Sequence, residues 1–281
     1  MFGFLAVDKP RGITSHDVVQ KIRKQTSFKK IGHTGTLDPF ATGVLVISFG
    51  GATRLIEYLN EDKGYIADLK FGEVSDTYDI DGKIEKFSDK KVDETLLKAS
   101  LQKFSGKIIQ TPPKYSAICV KGKRLYEYAR ENKEVEIPKR EVEVYCAELL
   151  DFDFENRSAR IKVKCSKGTY IRSLAYDIGL DTGAGAYLTS LRRIQSGAFL
   201  IENSVKLEDV TQNTPLIDPL CVLNLKRHEL SAHEYNRVRF GNPIESGQFA
   251  NNEILLLLYE NKIVATAQVR DNLIKVKKVL I

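Results

Sequence analysis

Apolar residues recur along the chain in two periods, and the change from one period to the other predicts a fold that mixes strands and helices. Three apolar or alternating runs are typical of strands: FLAVDKP at 4–10, VLVISFG at 44–50 and GYIADLKFGE at 64–73. Helical spacing follows the capping-box sequence TSHD at 14–17, and it recurs in ATRLIEYL at 52–59 and from Leu96 to Phe104. Each of these segments is therefore predicted to form an amphipathic helix.

The middle of the chain predicts how its strands are joined. Two long strand-like runs, at 142–154 and 159–165, are separated only by the polar turn ENRS. So short a connection requires the two strands to be antiparallel. Thr169 stands where it can cap a helix that begins at Tyr170. The pattern predicts an α+β fold, with a mixed, largely antiparallel central sheet and flanking helices, in preference to a doubly wound parallel sheet.

A turn-rich segment, QNTPLIDP at 212–219, suggests a boundary between two domains near residue 220. Beyond it, a short helical pattern is followed by three strand-like runs. Glu260-Asn261 and Asp271-Asn272 separate these runs and are typical of tight turns. We therefore expect a large domain over residues 1–220 and a small β-rich domain over residues 221–281.

Composition and charge restrict the class of protein. Hydrophobic residues make up 42% of the 281 residues and charged residues 28%, which is typical of a soluble globular protein. The longest apolar run, at 254–259, is too short to span a bilayer, and the N-terminus lacks the pattern of a secretory signal. We therefore expect a cytoplasmic protein that does not enter membranes.

The net charge of +6 is compatible with a polyanionic partner but does not require one. The distribution of charge is more informative, because KIRKQTSFKK at 21–30 contains five basic residues and no acidic residue. This run is expected to follow the first helix. Such a run can be a solvated helix face or a phosphate-binding surface. The sequence alone leaves both interpretations open.

Several kinds of active site are disfavoured by missing motifs. The chain has no phosphate-binding G-x-x-x-x-G-K-[ST], and GAGA at 183–186 does not complete a dinucleotide-binding motif. The four histidines and four cysteines show no spacing typical of a metal site, so no metal and no nucleotide cofactor is expected. No G-x-S-x-G nucleophile motif is present either.

One acidic residue in a glycine-rich loop remains as a candidate, Asp38 in GHTGTLDPFATG at 32–43. An aspartate before a proline often does no more than stabilise a turn. A carboxylate can also act as a covalent nucleophile without metal or cofactor. In a dry pocket such a group needs a cationic partner to keep its charge. Local composition favours the turn interpretation. Only the sequence outside this loop can distinguish the two interpretations.

The wider sequence resembles one enzyme family, the TruB family of tRNA pseudouridine synthases. The resemblance begins with GHTGTLDPFATGVL followed by GGATR at 50–54. It continues in the family's order through four further segments and covers residues 1 to about 200: KGYIADLKFG at 63–72, PPKYSAICVKGKRLYEYAR at 112–130, KGTYIRSLAYDIG at 167–179 and YLTSLRR at 187–193. The C-terminal strands weakly resemble a reduced RNA-binding domain of the PUA type.

The resemblance implies the pseudouridine synthase fold and a cofactor-free isomerisation, in which uracil is detached at N1 and rejoined to the ribose through C5. Asp38 matches the catalytic aspartate, which attacks either C6 of uracil or C1′ of the sugar. Tyr65 matches a tyrosine that lies against the target base and is able to assist removal of the C5 proton. Arg172 matches the arginine that pairs with the aspartate. The turn interpretation of Asp38 is therefore set aside.

Further positions are assigned to substrate binding by the same resemblance. The target uridine has to be flipped out of its RNA loop, and His33 matches a residue that stacks in the vacated place. Tyr170 and Leu191 match residues that line the base pocket. Arg54 matches a Lys or Arg near the active site. Without the resemblance, each of the four has an ordinary structural interpretation as a core or surface residue.

The resemblance implies tRNA as the partner, with the T-loop uridine at position 55 as the target. The middle segment at 112–130 and the absence of long basic tails resemble the stand-alone bacterial type, so a monomer without guide RNA is expected. A guide-RNA-dependent relative is the nearest alternative. A non-catalytic RNA-binding module is the alternative from another class, and intact Asp38, Tyr65 and Arg172 argue against it.

Overall fold

The chain folds into two main β-sheets of unequal size, and the computed structural model describes residues 2–131 and 133–280. Within these residues there are five α-helices: α1 (Ser15–Thr26), α2 (Glu94–Lys103), α3 (Leu125–Arg130), α4 (Ile171–Asp181) and α5 (Ala232–Val238). The same residues contain nineteen strands: β1 (Gly3–Lys9), β2 (Ile31–His33), β3 (Thr42–Phe49), β4 (Lys63–Phe71), β5 (Glu73–Ser75), β6 (Ile84–Lys86), β7 (Gly106–Gln110), β8 (Cys119–Val120), β9 (Lys123–Arg124), β10 (Arg140–Asp153), β11 (Ser158–Cys165), β12 (Ala186–Ser196), β13 (Phe199–Leu200), β14 (Val205–Lys206), β15 (Lys226–Glu229), β16 (Ile244–Glu245), β17 (Ile254–Tyr259), β18 (Lys262–Arg270) and β19 (Leu273–Val279).

The larger sheet has the mixed, largely antiparallel character that the sequence predicts. Its main path runs β14-β1-β3-β12-β4-β11-β10-β7, with β2 paired to β3 and β13 paired to β12. Two pairs are parallel, β1 with β14 and β3 with β12, and the remaining pairs are antiparallel. The predicted α+β fold class is thus confirmed, and β3, β4 and β12 lie side by side at its centre.

The smaller sheet is formed by the C-terminal strands in the order β15-β17-β18-β19-β16. Both residues of each predicted turn, Glu260-Asn261 and Asp271-Asn272, have positive φ, as a two-residue hairpin of this kind requires. A cluster of buried side chains joins the two sheets, since Phe4 and Leu55 pack in the same core as Leu223 and Leu256. The predicted β-rich C-terminal part is therefore present, and it is packed against the larger sheet.

Three helices pack on the larger sheet with their apolar residues turned toward it. Helix α1 buries Val18, Val19 and Ile22 in a core shared with β1 and β3. Helices α2 and α4 bury their apolar residues in a second core over β4, β11 and β12. Among the described residues, no helix combines the length and the apolar character needed to cross a bilayer.

Two predictions about helices are wrong. ATRLIEYL does not form an α-helix, because this stretch contains two 3-10 turns, Gly50–Arg54 and Ile56–Tyr58. Gly50 and Gly51, which open the first of these turns, are poor helix formers and disfavour an α-helix here. The basic run at 21–30 does not follow the first helix either, since its first half lies within α1.

The start of α4 also differs from the prediction. The N-cap is Tyr170, and the Thr169 hydroxyl donates instead to the Ser166 carbonyl at 3.0 Å. Gln110 takes the capping role from a distant strand: its Oε1 accepts from the Tyr170 N–H at 2.8 Å and its Nε2 donates to the Tyr170 carbonyl at 3.0 Å. The beginning of α4 is thus fixed to the end of β7.

Gly43 allows β12 to approach β3 more closely than any side chain would permit. Its φ is +101°, and a Cβ built there would lie 2.1 Å from the Arg193 carbonyl oxygen. Gly12 also has a positive φ, +88°, but a Cβ there would meet nothing within 4 Å. Substitution at Gly12 therefore tests the cost of backbone strain alone, whereas substitution at Gly43 adds the cost of a steric clash.

We expect Gly43→Ala to be far more destabilising than Gly12→Ala. Strain alone costs about 1–2 kcal/mol at either position, and the clash with β12 adds roughly 1–3 kcal/mol at position 43. Urea unfolding of both variants and the wild type measures the difference. Equal losses of free energy of unfolding would show that the β3–β12 approach is not tight.

Candidate active site

Asp38 lies in the loop between β2 and β3, which is the loop that the sequence singles out. Its backbone carbonyl accepts from the Ala41 N–H at 3.1 Å, so the chain turns tightly just after it. The Asp38 side chain is 33% exposed, whereas that of Arg172 is only 5% exposed. The carboxylate can therefore be reached from solvent although its partner cannot.

Arg172 holds both oxygens of the Asp38 carboxylate. Its Nη2 donates to Oδ1 at 3.0 Å, and its Nε lies 3.0 Å from Oδ2. Arg172 is the second residue of α4, so the orientation of that helix directs the guanidinium into the loop. The Nη2 contact is a hydrogen bond, whereas the Nε contact is an ion pair without one, because the buried Nε has no hydrogen-bond partner among the described residues. The two contacts together place the guanidinium beside both carboxylate oxygens.

The other side of the Arg172 guanidinium is held by groups that the sequence did not reveal. Nη1 donates to the Thr77 carbonyl at 3.2 Å and lies 3.4 Å from Asp79 Oδ2, and Nη2 donates to the Tyr115 carbonyl at 3.0 Å. Asp79 is buried, and burial raises its pKa, while a hydrogen bond from Thr77 and the charge of Arg172 oppose that shift. Arg172 thus lies between two carboxylates, one reachable and one buried.

The Asp38 loop is held from behind by two buried side chains near the N-terminus. Lys9 is fully buried and its Nζ donates to three carbonyls, including that of Pro39 at 3.2 Å. Burial lowers the pKa of Lys9 to about 8. Ser15 Oγ accepts from the Leu37 N–H at 2.8 Å and donates to the Leu37 carbonyl at 3.1 Å. The residues on both sides of Asp38 are therefore fixed.

Arg193 supports the earlier part of the same loop from β12. It is 2% exposed, and its guanidinium donates to the carbonyls of Gly35, Thr36 and Val44 at 3.2, 3.4 and 2.7 Å. A buried guanidinium that donates to three carbonyls leaves the loop little freedom to move.

Tyr65 forms one wall beside this loop. It lies on β4 opposite Arg193 of β12, and it is 8% exposed. Burial raises the pKa of its hydroxyl, so the phenol remains protonated at neutral pH. Leu191 is buried in the same cluster, together with Leu37 and Phe40 from the Asp38 loop.

The other residues assigned by resemblance lie on three different elements. His33 is half-buried at the end of β2, and burial, followed by the charge of Arg193, lowers its pKa. Tyr170 precedes α4 and lies two residues from Arg172. Arg54 does not join this group, because it is exposed and its guanidinium donates to the Val279 carbonyl of β19.

The site borders a cavity of about 890 Å³. Tyr115, whose carbonyl holds Arg172, lines it, and so do three further tyrosines and three lysines: Tyr78, Tyr128, Tyr176, Lys83, Lys114 and Lys133. Aromatic faces and lysines can stack on bases and contact phosphates. Four acidic residues, Asp76, Glu85, Glu134 and Glu136, line the cavity as well, so its lining carries no excess of positive charge. Asp38 and Arg172 are not among the residues that line this cavity. A reachable carboxylate on a rigid loop, held by a buried arginine, can act as a nucleophile.

Sequence reasoning missed three residues that hold this arrangement together. Lys9 was recognisable in principle, because it is a basic residue at the end of an apolar strand. Arg193 was noted only as part of a late strand. Asp79 lies in a loop with several other acidic residues, and nothing in the local sequence distinguishes it from its neighbours.

Two family models match the chain. One is described as TruB family pseudouridylate synthase (N terminal domain) and matches residues 23–171; the other is described as tRNA pseudouridylate synthase B C-terminal domain and matches residues 172–218. The first match contains Asp38 and Tyr65, and the second begins at Arg172.

Curated bacterial proteins named tRNA pseudouridine synthase B are similar over most or all of the chain. The protein from Clostridium tetani is 42% identical, with 100% of both chains covered. That from Syntrophomonas wolfei is 40% identical, with 96% of this chain and 94% of the relative covered. That from Clostridium novyi is 49% identical over 75% of this chain and 73% of the relative.

Two solved structures share the fold over the whole chain. One is an H/ACA RNP bound to a substrate RNA containing 2′-deoxyuridine, with a TM-score of 0.73 and 25% identity, covering 100% of this chain and 85% of that chain. The other is an archaeal box H/ACA sRNP complex, with a TM-score of 0.72 and 25% identity, covering 100% of this chain and 86% of that chain.

Helix α4 also carries an unusual carboxyl group, Asp177. Burial alone raises its pKa from 3.8 to about 6. Between these two values the folded protein binds a proton that the unfolded chain releases. The contribution of Asp177 to the free energy of unfolding therefore falls as pH rises from about 4 to 6, and the buried charge remains a cost at pH 7.

We expect Asp177→Asn to raise the free energy of unfolding at pH 7 by about 1–3 kcal/mol. The gain should shrink as the pH is lowered from 6 to 4, because the wild-type carboxyl is then neutral in the folded state. Urea unfolding at several pH values measures it, with Asp209→Asn as the control at an exposed carboxylate. A gain that does not depend on pH would contradict the assignment.

Proposed function

The chain belongs to the TruB family of pseudouridylate synthases, and we propose that it isomerises the T-loop uridine at position 55 of tRNA to pseudouridine, with Asp38 as the nucleophile. The protein is thus an isomerase that acts on tRNA. The observation that carries the role of Asp38 is its two-point contact with the buried Arg172. Both residues lie in segments that the family models match.

The reaction rearranges bonds within one nucleotide, so substrate and product have the same atoms. The bond from N1 of uracil to C1′ breaks, the base turns, and a bond from C5 to C1′ forms. The proton on C5 is lost, and N1 gains one. Asp38 forms a transient bond to C6 or C1′, and Arg172 supplies a fixed positive charge beside the carboxylate throughout.

Tyr65 is proposed to lie against the uracil ring and to assist removal of the C5 proton. Burial raises the pKa of its hydroxyl, so that hydroxyl has to lose its own proton before it can accept the one on C5. Stacking of a base on an aromatic ring contributes ~1–3 kcal/mol. Leu191 and Tyr170 complete the base pocket in this proposal. Support comes from the shared core of Tyr65 and Leu191 with the Asp38 loop, and from the position of Tyr170 at the start of α4.

Access to the uridine requires that it leave its RNA loop, and we assign His33 to the place it vacates. The lowered pKa of His33 favours the neutral imidazole, which stacks on bases without a buried charge. Arg54 is assigned a role near the RNA. In the free protein its guanidinium is bound to the Val279 carbonyl, so that role requires the contact to open.

Recognition of the T-arm is proposed to use two surfaces. Lys21, Lys24 and Lys29 are exposed in the basic run, where phosphate contacts would make binding weaker at high salt. Residues 221–281 form the second surface, as a domain of the PUA type that grips RNA away from the catalytic domain of residues 1–220. We further propose that the enzyme is a cytoplasmic monomer.

A guide-RNA-dependent enzyme is the alternative, because the two solved structures described above are H/ACA complexes. These two structures share the fold of this chain, but their sequences are only 25% identical to it. The curated bacterial proteins reach 40–49% identity and are named for tRNA alone. The stand-alone activity is therefore favoured.

The proposal is tested by release of tritium from tRNA labelled at C5 of uridine, with no metal, nucleotide or guide RNA added. We expect the wild type to release one tritium per tRNA. Asp38→Asn should bind tRNA normally but lose at least about 10³-fold in rate, because the nucleophile is absent. Asp209→Asn, at an exposed carboxylate outside the site, is the matched control and should be as active as the wild type.

Two results would contradict the proposal. No release by wild-type protein that binds tRNA tightly would exclude the stand-alone activity and leave a guide-dependent enzyme or an RNA-binding module. Release by Asp38→Asn at the wild-type rate would exclude Asp38 as the nucleophile.

A further inference from the structure

Tyr78 has an unusual backbone conformation directly beside the ion pair. Its φ is +64°, in the left-handed region that bulky side chains rarely adopt. Its two neighbours in the chain, Thr77 and Asp79, are the residues that hold Nη1 of Arg172. Strain of this kind persists where surrounding contacts enforce it, and it often occurs at functional sites.

Three contacts enforce the conformation of Tyr78. Its N–H donates to the Ser75 carbonyl at 3.0 Å, and its carbonyl accepts from the Leu188 N–H of β12 at 3.1 Å. Its ring stacks on that of Tyr176, with centroids 4.1 Å apart and planes 19° from parallel. The backbone contacts fix one side of the turn to the sheet, and the ring fixes the other side to α4.

The stacking partner belongs to the helix that carries the arginine. Tyr176 follows Arg172 by four residues, so the two side chains project from the same face of α4. The turn at 77–79 therefore meets this face at two points: Thr77 and Asp79 contact Arg172, and Tyr78 contacts Tyr176. A shift of the turn away from α4 would break both.

We propose that the Tyr78–Tyr176 stack is a positioning device that fixes the turn at 77–79 against α4 and thereby directs Arg172 toward Asp38. This inference rests on the proposed function, because the arginine matters only if Asp38 is the nucleophile. The aromatic rings are what is required. The hydroxyl groups take no part in the chemistry, and burial, which raises the pKa of Tyr78 to about 12, keeps that hydroxyl protonated.

A direct role in RNA binding is the competing interpretation, since both rings line the cavity beside the site. The two roles differ in their kinetics. A ring that only stacks on RNA would change KM for tRNA, whereas a ring that positions Arg172 changes kcat. Steady-state kinetics on T-arm tRNA therefore distinguish them.

Tyr78→Asn and Tyr176→Leu are the test variants. Asparagine tolerates positive φ, so Tyr78→Asn removes the ring without a new backbone cost. Tyr78→Phe and Tyr176→Phe keep the rings and serve as conservative variants. Phe199→Leu is the matched control, because it removes a buried ring that packs on a second ring, that of Phe4, with centroids 5.9 Å apart, outside the site and the proposed RNA-binding surfaces.

We expect Tyr78→Asn and Tyr176→Leu to lower kcat at least tenfold while KM for tRNA changes less than twofold. Both phenylalanine variants and Phe199→Leu should retain kcat within about twofold. A loss confined to KM would overturn the positioning role in favour of direct RNA contact. Wild-type kcat in folded Tyr78→Asn, or equal loss in Tyr78→Phe, would also overturn it.

A second measurement does not depend on turnover, and it separates failure of this inference from failure of the proposed function. The Nε–H signal of Arg172 in an NMR spectrum reports how firmly the guanidinium is held. We expect a shifted or broadened signal in Tyr78→Asn and Tyr176→Leu and an unchanged one in the phenylalanine variants. An unchanged signal in all four would overturn the inference even if the wild type proved inactive on tRNA.

Discussion

The contact between Arg172 and Asp38 depends on several loops around it, because the buried arginine needs further partners. The Arg172 side chain is only 5% exposed, and a charged guanidinium can remain buried only if its charge and most of its N–H groups are matched. Asp79 and the carbonyls of Thr77 and Tyr115 supply the additional partners. These partners come from loops far apart in sequence, so one arginine fixes their relative positions. Asp38 is the most accessible of the acidic partners, and it is therefore the one that a substrate can reach.

The rigidity of the Asp38 loop has a second origin. Lys9, Ser15 and Arg193 donate to the carbonyls of the loop from its buried side, while Arg172 holds the carboxylate on the other. A charged group whose environment is fixed before the substrate arrives needs little reorganisation during the reaction. The glycine that lets β12 lie against β3 belongs to the same arrangement, because Arg193 is on β12.

Much of this could be predicted from the sequence, and the limits have physical causes. Apolar periodicity located most of the long strands, among them β1, β3, β4, β10 and β11, but not most of the short ones. The family resemblance selected Asp38, Tyr65 and Arg172. What failed depends on distant contacts. The cap of α4 comes from a strand about 60 residues earlier, and the buried partner of Arg172 is one of several similar acids in its loop. The sequence near a helix start or a buried arginine does not indicate which distant side chain will form a hydrogen bond with it. Arg54 lies outside the ion-pair group for the same reason, since its partner is on the last strand.

The central claim is that Arg172 acts by gripping Asp38 at two points, and the single-turnover rate of Arg172→Lys tests it most directly. Lysine keeps the charge but cannot make two parallel contacts with a carboxylate. The account predicts tRNA binding within about threefold of the wild type and a rate at least about 10²-fold lower, because the nucleophile is no longer aimed. Arg160→Lys is the matched control. Arg160 of β11 donates from Nε and Nη2 to the two carboxylate oxygens of Asp68 on β4, at 2.7 and 3.1 Å, on the exposed surface of the larger sheet. A wild-type rate for Arg172→Lys would contradict the account, because charge alone would then suffice.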